Sequence, residues 1–168
     1  MEKLICDKIV RIVKNRKKLE EALKVKLTND KSEVSIEGEA QNEYEAVKVI
    51  DALNMGFSFS DAISIKKNEL EFGKINVKEY SRSSLERIKG RLIGKDGKVL
   101  KTLSTLTNCS LEVKGNEIGI IGNPDDMKTA IDSIIQIIQG SKHANVYKGL
   151  EKRKEEPIVD WGLKEKEK

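Results

Sequence analysis

The hydrophobic positions of this chain change period several times, and each change marks an element. From Lys98 to Leu106 the apolar residues Val99, Leu100, Leu103 and Leu106 share one face of a helix. Leu111-Glu112-Val113 alternates as a short strand, and Lys114-Gly115-Asn116 reads as a turn. Ile118–Ile121 forms a second strand, apolar enough for burial on both faces. Asn123-Pro124-Asp125-Asp126 then opens a helix with an N-cap, proline at the first helical position and acids at the positive end of the dipole. Its apolar stripe is Met127, Ala130, Ile131, Ile134, Ile135 and Ile138, and Gly140 closes it. Upstream, Glu71–Tyr80 reads as a strand through Phe72, Ile75 and Val77. Ser83 or Ser84 caps a helix with Leu85, Ile88 and Leu92 on one face.

The same pattern occurs twice. At an offset of 84 residues, Leu19 falls on Leu103, Leu27 on Leu111, Val34 on Ile118 and Ile36 on Ile120. Gly38 falls on Gly122, Ala46 on Ala130, Ile50 on Ile134 and Gly56 on Gly140. Helix-period and strand-period positions coincide together, which predicts a duplication. The expected fold is α+β: two units, each a three-stranded sheet with helices on one face. The division reads as 1–56, a connecting segment 57–70 with a short helix opening at Ser60-Asp61, a second unit 71–154 ending in a helix, and a charged tail 155–168. Trp161 lies in an apolar island of that tail.

Composition narrows the chemistry. Of 168 residues, 36 % are charged and the formal net charge is +4. No apolar run approaches the roughly 18 residues that span a bilayer. The N-terminus has no signal-peptide pattern, which predicts a cytoplasmic protein with no membrane partner. Two cysteines, Cys6 and Cys109, form no CxxC pair, and His143 is the sole histidine. Neither a disulfide framework nor a metal site is expected, and no cofactor; both cysteines read as small buried hydrophobes. Most nucleophile–histidine constellations would depend on one residue, so the reading is of a binding protein rather than an enzyme.

One loop carries candidate chemistry: Ile93-Gly94-Lys95-Asp96-Gly97-Lys98-Val99-Leu100-Lys101. Two glycines three apart let the backbone turn without a Cβ in the way. The loop opens onto a helix N-terminus, where free N–H groups favour phosphate. Lys95 and Lys98 add charge, and Arg87, Arg91 and Lys101 extend the track. Seven bases face two acids from Arg82 to Lys101. Asp96 is the one acid at the loop tip. No Phe, Tyr or Trp occurs from Ser81 to Val146, so base stacking has none of its usual platforms there. Ile93, Val99 and Leu100 would form an apolar floor instead. Neither a Walker A loop nor a G-x-G-x-x-G fingerprint fits.

Ile93-Gly94-x-x-Gly97-x-x-Leu100, in this element order, resembles a type I KH domain, a module that clamps about four single-stranded nucleotides by their backbone. The two copies, together with His143…Val146-Tyr147-Lys148…Lys152-Arg153, resemble the tandem-KH pre-rRNA-processing family known in eukaryotes as partner of Nob one. The resemblance implies two tandem type I KH domains, RNA binding near the 3′ end of the small-subunit rRNA precursor, and a role in ribosome assembly. It further implies as partners the family's nuclease and the alpha subunit of translation initiation factor two.

The first copy departs from this pattern. No glycine occurs in residues 1–37, and Val13-Lys14-Asn15-Arg16, or residues just before it, falls where the loop should be. Lys8–Lys18 nevertheless holds six bases and no acid, while Asp30–Glu45 holds six acids and one lysine. Two readings stand for this copy: a fold kept for packing and protein contacts, or an auxiliary electrostatic RNA surface. For the whole chain the alternatives are a general KH RNA-binding adapter and a protein-docking scaffold with a vestigial RNA surface. His143 reads either as an RNA contact or as a structural helix cap.

Overall fold

The structure, a computed structural model, describes residues 1–155, so the segment around Trp161 lies outside the described residues. The first unit runs β1 (Glu2–Ile5), α1 (Ile9–Lys14), α2 (Arg16–Leu23), β2 (Lys26–Asp30), β3 (Glu33–Glu37), α3 (Ala40–Met55) and α4 (Phe59–Lys67). The second runs β4 (Glu71–Asn76), a 3₁₀ turn (Val77–Glu79), α5 (Leu85–Ile93), α6 (Lys98–Thr107), β5 (Ser110–Lys114), β6 (Glu117–Gly122), α7 (Pro124–Ile138) and α8 (His143–Glu155). Both sheets are antiparallel and place the last strand in the middle, β1-β3-β2 and β4-β6-β5.

Local chemistry sets several boundaries. The strand expected over Glu71–Tyr80 stops at Asn76, whose side chain accepts from the Lys78 amide at 3.1 Å and turns the chain. Helix α4 starts earlier than Ser60-Asp61, because the Ser58 hydroxyl accepts from the Asp61 amide at 3.1 Å and donates to its carboxylate at 2.9 Å. The span 57–70 is not a bare connector either. Phe57, Ala62, Ile63 and Ile65 are buried in the first core.

Alternation places Ile75, Ile118, Ile120 and Leu111 on the helix side of the second sheet. The opposite face carries the rows Phe72–Ile121–Ser110 and Lys74–Gly119–Glu112. Burial of β6 on both faces was expected from its sequence, but not what would cover this one. Ile121 belongs to the first unit's core, and the Phe57 ring meets Phe72 edge-on with centroids 6.1 Å apart. Gly119 is the seat for Phe57: a Cβ there would lie 2.7 Å from the ring. The apolar run of β6 is thus buried on both sides because the first unit caps it.

Polar bonds rim this contact. Lys114 Nζ reaches Asn54 O at 3.0 Å and Asp7 at 3.1 Å, and Lys74 pairs with Asp51 at 2.8 Å. Such partly exposed pairs contribute about 1 kcal/mol or less each, whereas burying one large apolar side chain contributes roughly 1.5–3 kcal/mol. The apolar contact therefore dominates the docking.

In α7 the buried residues are Met127, Ala130, Ser133, Ile134, Ile137 and Ile138, with Ile131 and Ile135 only half-buried. The stripe rotates from the expected one because α8 packs against α7 and α6 and sends Val146 and Leu150 into the same core. Both cysteines are buried, and burial pushes the Cys109 thiol up to about 11.

Candidate nucleic-acid interface

Helix α5 aims the candidate loop. Its N-cap is Ser84, whose hydroxyl accepts from the Arg87 amide at 3.4 Å. Ile88 and Leu92 anchor it inward, and Leu85 packs beside them. The helix ends where Gly94 adopts φ 71°, ψ −175°, a conformation open to glycine almost alone. Asp96 (φ 55°, ψ 27°) and Gly97 (φ 73°, ψ 14°) then lie in the left-handed region. Asp tolerates that region better than most residues because its short side chain is unbranched at Cβ and can bond locally.

The two glycines do different work. A Cβ on Gly94 would sit 2.3 Å from Val99 Cγ2 and 3.1 Å from the Val99 amide, so α6 closes against this backbone. A Cβ on Gly97 would meet nothing within 4 Å. Gly94 therefore builds the turn, and Gly97 leaves its outer face bare. As the N-cap of α6, Gly97 brings no side chain to the first-turn amides. Those N–H groups have no partner within the helix and sit at the positive end of its dipole. Lys95, Asp96, Lys98 and Lys101 are exposed around them. Ile93 is half-buried at the end of α5, while Val99 and Leu100 are half-buried against the second core. The arrangement offers a backbone cradle, flanking cations and a short aliphatic floor.

The proposed basic track does not form one surface. Arg87 is exposed, but Arg91 donates from Nη1 to Ile137 O at 2.9 Å and from Nη2 to Ser141 O at 2.6 Å. It caps the C-terminus of α7 rather than extending over the loop. His143 Nε2 lies 2.8 Å from Arg91 O; a carbonyl only accepts, so Nε2 carries the proton. The histidine is a structural cap for α5. The Tyr147 ring lies near His143, with centroids 6.3 Å apart, and burial raises its phenol pKa, offset in part by a hydrogen bond with Thr102 of α6. Together α7 and α8 hold the base of the loop from behind. Sequence reasoning offered the cap at His143 as one of two readings, and missed Arg91's bonds to the end of α7.

The equivalent join in the first unit has no loop. Residues 94–97 correspond by offset to 10–13, which lie inside α1, and one residue, Asn15, separates α1 from α2. The Asn15 amide donates to Ile12 O at 3.2 Å, its side chain donates to Arg11 O at 2.9 Å, and its carbonyl accepts from the Leu19 amide at 2.9 Å. Its φ of −106° and ψ of 10° are open to any residue. The join has no glycine-bounded turn to bring a backbone close, although α2 also lacks a side-chain cap and Lys14, Lys17 and Lys18 are exposed nearby. Among the described residues no group of three or more His, Cys, Asp or Glu is placed to hold a metal, and no helix is long and apolar enough to cross a membrane.

Comparison with known proteins bears on the same region. The profile of the eukaryotic type KH-domain (KH-domain type I), in its form for the second domain of PNO1 proteins, matches residues 71–155. A KH domain-containing protein of Methanocaldococcus jannaschii is 30 % identical over 148 residues, covering 83 % of this chain and 65 % of that protein. The RNA-binding protein pno1 of Dictyostelium discoideum is 31 % identical over 107 residues, covering 61 % of this chain and 45 % of the relative. The chain thus spans less than two thirds of the length of these relatives. Among solved structures, Dim2p of Pyrococcus horikoshii superposes with a TM-score of 0.84 at 27 % identity, covering 90 % of this chain and 98 % of that one. Dim2p in a complex with a/eIF2alpha and rRNA from the same organism also gives 0.84, at 28 % identity, covering 92 % and 93 %. By the Gly94–Gly97 loop, the element order around it and these matches, the chain belongs to the type I KH family, in its PNO1/Dim2-like branch.

Proposed function

We propose that this chain binds single-stranded rRNA near the 3′ end of the small subunit during ribosome assembly and pre-rRNA processing, as a binder without a catalytic step. The observation that carries the reading is the Gly94–Gly97 cradle, with a bare outer face at Gly97 and uncapped amides at the start of α6. Gly94, Lys95, Asp96, Gly97 and Lys98 meet the phosphate backbone, and Ile93, Val99 and Leu100 line the bases. Lys101 adds charge one turn into α6. A relative whose structure is solved with rRNA and a/eIF2alpha supports both an rRNA ligand and the alpha subunit of initiation factor two as a partner.

In this reading the chain holds two tandem KH-type domains, the first over 1–67 and the second over 71–155. The shared strand order and the 84-residue offset support it. The first domain works as a platform that caps the second sheet, and its exposed lysines add a diffuse positive field. The test is fluorescence anisotropy of a labelled single-stranded RNA from the 3′ end of the host's small-subunit rRNA, against a scrambled oligomer, at two salt concentrations. Tighter binding of the native probe, with a log–log salt slope near −3 for about four phosphates at ~0.7 each, is expected. Equal binding of both probes would leave only a charge-driven adapter.

A further inference from the structure

Between the N-terminal end of α5 and the C-terminal end of α7 lies a cavity of about 360 Å³. Arg87 and Arg91 wall it, one helical turn apart on the same face; Ser81 and Ser83 stand opposite, and Ile88 and Ile138 form an apolar floor. No carboxylate lines it, and among the described residues neither arginine forms an ion pair. The Arg91 guanidinium is fixed by its bonds to Ile137 O and Ser141 O. A planar five-donor group fixed through two N–H bonds still has donors to spare. Ser81 Oγ accepts from the Ser83 amide at 3.2 Å, which leaves its proton to donate.

We infer that this cavity holds a phosphate of the RNA strand that runs on from the Gly94–Gly97 loop, a second anchor distinct from the cradle. The inference rests on the RNA-binding reading above. Two cations without carboxylate partners and two hydroxyls at a helix N-terminal end make a concave site that selects for an anion of tetrahedral, multi-acceptor kind. Its position fits a continuous strand: seven residues of α5 separate Arg87 from Gly94, about 10 Å at 1.5 Å per residue. That is roughly three stacked nucleotide steps at ~3.4 Å each, beyond the four bases on the loop. Arg87, exposed and unbonded through its side chain among the described residues, closes on the phosphate, and Arg91 is the fixed wall.

The discriminating experiment compares a four-nucleotide and a ten-nucleotide RNA sharing one core, on the full chain, by anisotropy at several salt concentrations. Arg87→Ala keeps a good helix former at an exposed position, so it folds, and its unfolding temperature checks this. The expected result is a loss of about five- to tenfold for the ten-nucleotide RNA, with under twofold loss for the four-nucleotide RNA. The salt slope for the longer RNA should fall by about 0.7, and Arg87→Lys should restore the slope. Equal losses on both RNAs would place Arg87 in the general field and overturn the second anchor while leaving the loop reading intact. No loss on either would do the same. Failure of the unaltered protein to bind either RNA would overturn the loop reading and the anchor with it.

Discussion

The two units share a strand order and a helix order, yet they treat two corresponding places in opposite ways. At the join between the paired helices, residues 77–97 of the second unit span a stretch that residues 6–15 cover in the first. The extra chain gives a longer α5 and three positive-φ residues, and so a glycine-bounded turn that leads into α6 without a side-chain cap. The short version has room only for Asn15, whose polar groups are consumed by its own helices. On the back of the sheet the contrast reverses. The second unit's face carries an apolar patch, Phe72 and Ile121, capped by Phe57, while the first unit's face presents Lys3, Ile5, Lys26, Asp30, Glu33 and Glu37, with Ile5 76 % exposed. Two units of one strand order thus differ: the second holds the glycine turn, and the first covers part of the second's sheet.

Breaking the sheet contact should have the largest effect. Phe57→Ala removes a fully buried ring and opens a void against Gly119 and Phe72, so a loss of about 3–5 kcal/mol is expected in denaturant unfolding. If the two units are thermodynamically joined through this face, the variant should also split one unfolding transition into two.

Gly94→Ala comes next. The new methyl would overlap Val99 in a backbone conformation that only glycine adopts freely, which predicts a loss of about 2–4 kcal/mol by chemical denaturation. Weak RNA binding by such a variant would say little about contact, since the turn itself is damaged.

Gly97→Ala separates the two roles. Its methyl points into open space and its left-handed backbone costs about 1 kcal/mol, so the variant folds. The methyl nevertheless occupies the face where a phosphate backbone would lie, and anisotropy should show roughly tenfold weaker RNA binding.

The smallest effect concerns the sheet contact again. Burial raises the Glu112 carboxyl above its usual range, with Lys8 and Arg11 pulling it down. The folded state therefore holds this proton more tightly than the unfolded one. Stability from this group falls as pH rises from about 4.3 through the raised value. Glu112→Gln should remove that dependence and give a slight gain above roughly pH 5, read as a shift in the urea midpoint.

Much of this was legible in the sequence wherever the signal is local. The helix at Ser84, the Gly94–Gly97 turn, the hairpin through Gly115 and the helix opening at Asn123 each depend on residues within a few positions of one another. The 84-residue offset anticipated two sheets of the same strand order because the apolar periodicity of the two stretches coincides where identity is low. The illegible parts are contacts between residues far apart. Arg91 read as an unattached cation because the carbonyls that fix its guanidinium lie 46 and 50 residues away. Phe57 read as part of a connector because Gly119, the residue that seats it, gives no sign in sequence of a ring resting on it. The run Ile118–Ile121 did announce burial on both faces, but not what would cover the second.

The most direct test of the central contrast is amide chemical-shift mapping on the full chain, titrated with a short single-stranded RNA from the small-subunit rRNA 3′ end. The largest shifts are expected at Gly94–Lys101, centred on Gly97, Lys98 and Val99, where the loop meets the side-chain-uncapped start of α6. Shifts centred on Val10–Arg16, with Gly94–Lys101 unmoved, would contradict the account and assign the RNA clamp to the unit that has no loop.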